Sequence, residues 1–345
     1  MFGKRTLWFV RGAFVIASLT LAGGEAGAAA SATARKQATT RSSSVKKSTV
    51  KKNVRSRRAA RRAAQSARAF REASTPHYRV DSQTGSVVPD LQAAAAIIYD
   101  PHTGEVIWQE NAQDQRSIAS ITKVMTAIVF LEGSPDLNQE VLVTREELRG
   151  ASTTYLKAND RVRANDLLHL LLIPSDNGAA RALASTYPGG LPAFVERMNQ
   201  KADDLDLEST TYADPSGLLS DNVSSAYDMA KLITFASSNR MISSIMRLPE
   251  YTFQTARNRT ITVRSTNQIV RQGDIDVVGG KTGFISKAGY CLATLLRLPQ
   301  GGAEVVVVVL GARSNLGRFW ETRHLFNWFT QNTQALFSTS LQKDN

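Results

Sequence analysis

Strand-like apolar runs stand at the two ends of the apolar part of the chain, and helical periodicity fills the interval between them. At the front, Ala93–Tyr99 and Glu105–Gln109 flank Asp100-Pro-His-Thr-Gly104, whose proline and glycine suit a hairpin turn. At the back, Ile275–Val278, Gly289–Leu296 and Glu304–Leu310 regain strand character, with Gly301-Gly302 turning the last two. Between them, apolar residues at 121, 124, 125, 128 and 129 predict a helix over Ser120–Leu131. Ala164–Ile173, Asn177–Ser185, Leu191–Ala202 and Ala226–Ala236 also read as helices. Arg318–Phe337 closes the chain as a helix with Phe319, Leu325, Phe326 and Phe329 on its apolar side. Strands this far apart bury their faces by joining one sheet. The expected fold is therefore α+β, an antiparallel sheet flanked by helices with a helical subdomain.

The charge lies outside that region. Residues 1–30 carry Lys4, Arg5 and Arg11 against Glu25, and residues 31–75 carry fourteen Lys or Arg against Glu72 alone. These nets of +2 and +13, set against +12 for the whole chain, leave −3 for residues 76–345. A body of that charge does not read as a nucleic-acid binder. The basic start, the apolar run Gly12–Ala22 and Ala26-Gly27-Ala28 read as a signal peptide (residues 1–28) cleaved near Ala28. An uncleaved anchor is the alternative, and the run is short for a bilayer span. The leader predicts an exported, periplasmic protein, peripheral to membrane or wall.

Residues 29–85 read as a basic, low-complexity linker, largely disordered. Ala and Arg favour helix within Arg55–Arg71, but Arg57/Arg61 and Arg58/Arg62 repel at i,i+4 spacing. An anionic envelope surface would screen them; a solvated tether is the alternative. Residues 86–345 are expected to form the folded domain. Cys291 is the only cysteine, so no intramolecular disulfide forms.

Familiar hydrolase signals are missing. There is no G-x-S-x-G, and His77, His102, His169 and His324 make no metal-ligand spacing, so neither metal nor cofactor is expected. Gly280-Lys281-Thr282 resembles the end of a phosphate loop, but the glycine that loop needs at position 275 is Ile275. What remains is Ser120-x-x-Lys123, Ser175-Asp176-Asn177 and Lys281-Thr282-Gly283, in that order. Other S-x-x-K copies (Ser43/Lys46, Ser44/Lys47, Ser48/Lys51) lie in the linker, and S-x-N recurs at Ser220–Asn222 and Ser237–Asn239. Context separates them. Ser120 and Lys123 open an amphipathic helix, where residues three apart share a face and free N–H groups surround the serine. A capping serine with a solvated lysine is the plainer alternative. To act as a base the lysine must be neutral, and lowering its pKa by roughly three units costs about 4 kcal/mol. Desolvation and the charge of Lys281 are the expected causes. Ser175–Asn177 falls in a tight interhelical turn beside Pro174, where simple capping is again the alternative. Lys281–Gly283 begins or lies on a strand, where Gly283 lets a substrate backbone come close.

These three elements resemble those of penicillin-binding proteins and class A β-lactamases. Thr211-Tyr-Ala-Asp-Pro-Ser-Gly-Leu218, Ala226-Tyr-Asp-Met-Ala230 and Lys281-Thr-Gly-Phe-Ile-Ser-Lys-Ala-Gly-Tyr290 extend the resemblance, over roughly residues 90–335, to the D-alanyl-D-alanine peptidase family. The resemblance implies a β-lactamase/DD-peptidase-like fold, peptidoglycan stem peptides as substrate and β-lactam antibiotics as covalent inhibitors. It implies Ser120 as acylated nucleophile, Lys123 as its general base and Ser175 as proton relay to the departing amine. Asn177 would hold the substrate amide, Lys281 would add positive potential, and Thr282 would bind the carboxylate end. The N–H groups of Ser120 and Phe284 would form the oxyanion hole, and Arg318 would be the carboxylate-binding arginine. Lys281-Thr-Gly-Phe-Ile and Ala288-Gly-Tyr-Cys-Leu292 look closest to the penicillin-binding protein 7 type of endopeptidase, which the 62 residues after Gly283, enough for the closing strands and one helix, also suit. The expected reaction is cleavage of D-alanyl–diaminopimelyl crosslinks. A D-alanyl-D-alanine carboxypeptidase is one alternative and an inactive wall-binding module another. A β-lactamase would need an E-x-x-L-N carboxylate, which does not occur.

Overall fold

The computed structural model describes residues 58–299 and 302–343, with side chains to residue 332. The signal peptide, the linker as far as residue 57 with its S-x-x-K copies, and Gly301 of the expected last turn lie outside the described residues. The chain divides into two compact units, Met1–Ser66 and Ala67–Asn345.

One antiparallel sheet of five strands organises the larger unit. Its order is Asp276–Ile285, Gly289–Arg297, Glu304–Ala312, Ala95–Tyr99 and Val106–Glu110. The front hairpin joins the back strands where Val308 pairs with Ile97 and Val306 with Tyr99. Every residue of Val305–Leu310 is fully buried, because helices cover both faces of the sheet. Ile97, Val306, Val308 and Leu310 pack with the helices Lys123–Glu132 and Ala226–Ser238. Ile98, Leu292, Val305, Val307 and Val309 face the other way, onto Phe319, Leu325 and Phe326 of the closing helix Asn315–Lys343. The period-two alternation thus feeds two cores.

The helical middle forms as its periodicity predicts, with helices Ala164–Leu172, Asn177–Ser185 and Gly190–Asp204. Caps set the starts: Asp176 accepts from the N–H of Ala179, and Ser225 from that of Asp228. The helix expected from Ser120 begins instead at Lys123, after a 3₁₀ turn over Ala119–Thr122. Tertiary contacts override the local pattern here. Ala119 is held at φ +49°, and a side chain at Gly217 or Gly283 would strike the Ala119 or Ile118 carbonyl.

Two hairpins escaped the sequence reading. Glu250–Gln254 pairs with Thr260–Arg264, burying Phe253, Ile261 and Val263. Tyr78–Val80 pairs with Val87–Pro89, so the compact unit starts well before residue 86. In this second hairpin Val80 lies opposite Val87, with Tyr78 two residues away on the same face. All three are exposed, Val80 at 68%. Residues 58–74, the end of the expected disordered linker, are helical and almost wholly exposed. Cys291 is buried and its thiol is pushed up to about 11 by desolvation, which suits a packing role.

Leu292→Ala would open a cavity between sheet and closing helix. A loss of about 2–5 kcal/mol, read by urea denaturation, is expected.

Candidate active site

The three sequence signals, far apart in the chain, meet in one cleft of about 220 Å³. Its walls include Ser120, Ser175, Asn177, Thr266, Thr282 and Arg318. Three supports bring them together. The 3₁₀ turn carries Ser120, the turn between two helices carries Ser175, and the edge strand Asp276–Ile285 carries Lys281 to Phe284. An edge strand leaves one row of backbone groups unpaired by the sheet, which an extended peptide can use.

Lys123 is fully buried directly behind Ser120. Its Nζ lies 2.9 Å from Ser120 Oγ, 2.6 Å from Asn177 Oδ1, and also against the Ser216 carbonyl. The last two groups only accept hydrogen bonds. They take both N–H bonds of a neutral amine and leave its lone pair for the Ser120 hydroxyl. Burial drives the amine down to about 7, opposed by the negative charges of Asp214 and Asp176. The charge of Arg181 lowers it further, and Lys123 and Lys281 disfavour each other's charge, but desolvation leads.

Asn177 is committed to the protein more fully than expected. Its Nδ2 donates to the Ala151 carbonyl at 2.7 Å and to Ser152 Oγ at 3.3 Å, which fixes Oδ1 toward Lys123. Ser175 sits at φ +66°, and its Oγ accepts from Lys281 Nζ at 2.7 Å. That amine also donates to the Thr282 carbonyl at 2.9 Å. Burial, then the charges of Lys123 and Arg318, holds it well below the usual lysine range.

Thr282 Oγ1 lies 2.6 Å from Thr266 Oγ1. Phe284 is half exposed at the cleft mouth and stacks on Tyr290 with 4.2 Å between ring centroids. Arg318 is buried, and desolvation lowers it to about 10. Its Nη1 donates to the Gly283 carbonyl at 2.9 Å and to that of Cys291 at 3.3 Å, while Nη2 meets Asn315 Oδ1. Its Nη1 thus braces the edge strand at the cleft, while its buried Nε has no partner among the described residues.

The role of the Asp214-Pro-Ser-Gly-Leu218 loop escaped the sequence reading. Asp214 accepts from the N–H groups of Ser216 and Leu219 and from Asn222 Nδ2, folding the loop so that Ser216 turns its carbonyl to Lys123. Gly217, at φ +76°, packs against Ala119 with no room for a side chain. The sequence signal was the string Asp214–Leu218 itself, which spacing alone tied to neither catalytic motif. Thr266 was missed for the same reason. No group of His, Cys, Asp and Glu suited to a metal occurs among the described residues.

A family model described as D-alanyl-D-alanine carboxypeptidase matches residues 82–314. The D-alanyl-D-alanine endopeptidase of Pseudomonas aeruginosa is 33% identical over 243 residues, 69% of this chain and 77% of that protein. The endopeptidase of Escherichia coli is 33% identical over 70% of this chain and 78% of its own length. D-alanyl-D-alanine carboxypeptidase DacD of Salmonella typhimurium is 34% identical over 71% of this chain and 64% of its own. Among solved structures, the Streptomyces K15 DD-transpeptidase superposes with a TM-score of 0.65 at 26% identity, covering 70% of this chain and 97% of that one. By these matches the chain belongs to the D-alanyl-D-alanine carboxypeptidase family of serine peptidases.

Proposed function

We propose that this serine DD-peptidase is an exported endopeptidase that opens D-alanyl–diaminopimelyl crosslinks of peptidoglycan through an acyl-enzyme on Ser120. The observation that carries the reading is the buried Lys123 amine, 2.9 Å from Ser120 Oγ and lowered to about 7. Ser120 Oγ attacks the D-alanyl carbonyl while Lys123 takes its proton. The oxyanion settles on the N–H groups of Ser120 and Phe284, donors of a kind worth about 10²–10³ in rate. As the tetrahedral intermediate collapses, the C–N bond breaks, Ser175, next to Lys281, gives its proton to the departing amine and is resupplied with the proton held by Lys123, which becomes neutral again. Water, deprotonated by Lys123, then attacks the ester, frees the new D-alanine carboxylate and restores the Ser120 hydroxyl. Asn177 and Ser216 hold Lys123 for both half-reactions. Thr282 receives the carboxylate beside the departing amine, and the charges of Lys281 and Arg318 favour its approach.

Terminal D-alanine and the D-centre of diaminopimelate both carry a carboxylate next to the scissile nitrogen, so one cleft serves either leaving group. Support for the crosslink comes from the Lys281–Leu292 motif and from the endopeptidase relatives, which align over 77–78% of their own length. A carboxypeptidase is the second reading, favoured by relatives of that name at 34% identity. The assembled nucleophile and base argue against an inactive wall-binding module.

For the unit's surroundings we propose an anionic envelope surface. The linker's charge supports this, as do Tyr78, Val80 and Val87, which offer an exposed apolar face. No helix among the described residues is long and apolar enough to cross a membrane.

Incubation with benzylpenicillin is expected to add one covalent adduct to Ser120 by peptide mass, and Ser120→Ala to abolish it; a well-folded wild type without adduct would overturn the reading. Crosslinked muropeptides are cut faster than uncrosslinked pentapeptides; the reverse preference would assign the carboxypeptidase. Because the amine is active when neutral, the acylation rate rises with pH and reaches half its plateau near pH 7. The mature chain sediments with anionic vesicles and is released by salt, and Val80→Asp weakens the attachment.

A further inference from the structure

We infer that Thr266 is a positioning residue that sets the direction of the Thr282 hydroxyl, and through it the enzyme's preference for ligands with a free carboxylate. The inference rests on the proposed function, in which Thr282 receives that carboxylate. Thr266 belongs to none of the three motifs; the fold delivers it. It follows the hairpin Glu250–Gln254/Thr260–Arg264, and that hairpin is tied to the helical subdomain. Tyr251 donates to Asp166 Oδ1 at 2.6 Å and stacks on His169, while Arg259 donates to the Tyr155 carbonyl and to Asp160. At the hairpin's exit the Thr266 N–H donates to the Ile173 carbonyl at 3.0 Å, just ahead of Pro174 and Ser175. Thr266 therefore joins the wall bearing Ser175 to the strand bearing Thr282.

A carboxylate only accepts hydrogen bonds, so its recognition needs donors aimed at it. Arg318 spends Nη1 on two carbonyls and one Nη2 hydrogen on Asn315, which anchors the guanidinium to the protein with its buried Nε unpartnered. Lys281 spends two donors on Ser175 and the Thr282 carbonyl. Beside these charges, the hydroxyl pair supplies the donor whose direction can rotate. Each threonine has one proton, and at 2.6 Å one proton lies between the two oxygens. If Thr282 donates, the Thr266 proton falls on the Ile173 carbonyl at 3.4 Å, a long bond, and neither hydroxyl points at the ligand. If Thr266 donates, the Thr282 proton is free for the carboxylate. A charged acceptor makes the stronger bond and selects this second arrangement. Without the Thr266 hydroxyl, the Thr282 proton loses the partner that orients it outward.

The test compares Ser120 acylation by benzylpenicillin with acylation by its methyl ester, which lacks the charge, in the wild type, Thr266→Val, Thr266→Ala and Thr266→Ser. Rates come from intact mass, and thermal melting checks that each protein is folded. The valine variant keeps the β-branch and the alanine variant adds no volume, so a packing fault in one does not decide the outcome. In both, the rate with the free acid is expected to fall about tenfold or more while the rate with the ester changes little. The serine variant should keep most of the wild-type ratio of acid to ester. Equal losses on both ligands, or an unchanged ratio, would overturn the inference while leaving the acyl-enzyme intact. No adduct in the wild type would instead overturn the proposed function on which the inference depends.

Discussion

A lysine amine with no exposure to water is costly to bury, and much of the cleft is arranged around it. Moving a charged ammonium out of water is unfavourable by several kcal/mol unless the group is neutralised or paired. Here burial lowers Lys123 to about 7, and its partners are the neutral oxygens of Asn177, Ser216 and Ser120. Asp214 and Asp176 pull the other way, but neither carboxylate is bonded to the amine. They act instead through the backbone: Asp214 folds the loop that offers Ser216, and Asp176 caps the helix that offers Asn177. The same two carboxylates thus build the site and hold the pKa of the amine up against burial.

Rigidity comes from the sheet. Val305–Leu310 is buried on both faces, so the strand bearing Lys281, Thr282 and Gly283 lies two strands away from the centre of a doubly covered slab. That strand is at the edge, and the edge is what makes it useful. Its outer side meets the 3₁₀ turn of Ser120 closely enough that Gly283 has no room for a side chain, its Cβ position lying 2.6 Å from the Ile118 carbonyl. Arg318 braces the same strand from the closing helix. Aligned donors held by a stiff frame need no rearrangement during reaction, which is the physical basis of oxyanion stabilisation.

Much of this is legible in the sequence. The back strands, the helices Ala164–Leu172 and Asn177–Ser185 and the order of the three motifs follow from apolar period, caps and spacing. Other parts are not. The hairpin Glu250–Arg264 carries many charged and threonine residues, and its alternation is too short to stand out. The 3₁₀ turn at Ser120 contradicts a good helical pattern, because Gly217 and Gly283 press on the chain at that point. Asn177 gives its donors to a protein carbonyl and a hydroxyl, and Arg318 gives Nη1 to two protein carbonyls while its Nε has no partner among the described residues. No pattern in one dimension distinguishes a donor that meets backbone from one that meets solvent.

The sequence by itself determined which residues could bury which faces, since apolar periodicity is a local property, and it placed Ser120 and Lys123 three positions apart, close enough for their side chains to meet. It also separated the basic leader and linker from the acidic body. Only the tertiary structure decided what the lysine's environment would be. The Ser216 carbonyl, the Asn177 amide and the second hydroxyl at Thr266 come from segments distant in sequence that only the fold brings together. Lysine neutrality and hydroxyl direction depend on burial and on hydrogen bonds made within about 3 Å, and those contacts exist only once the chain has folded.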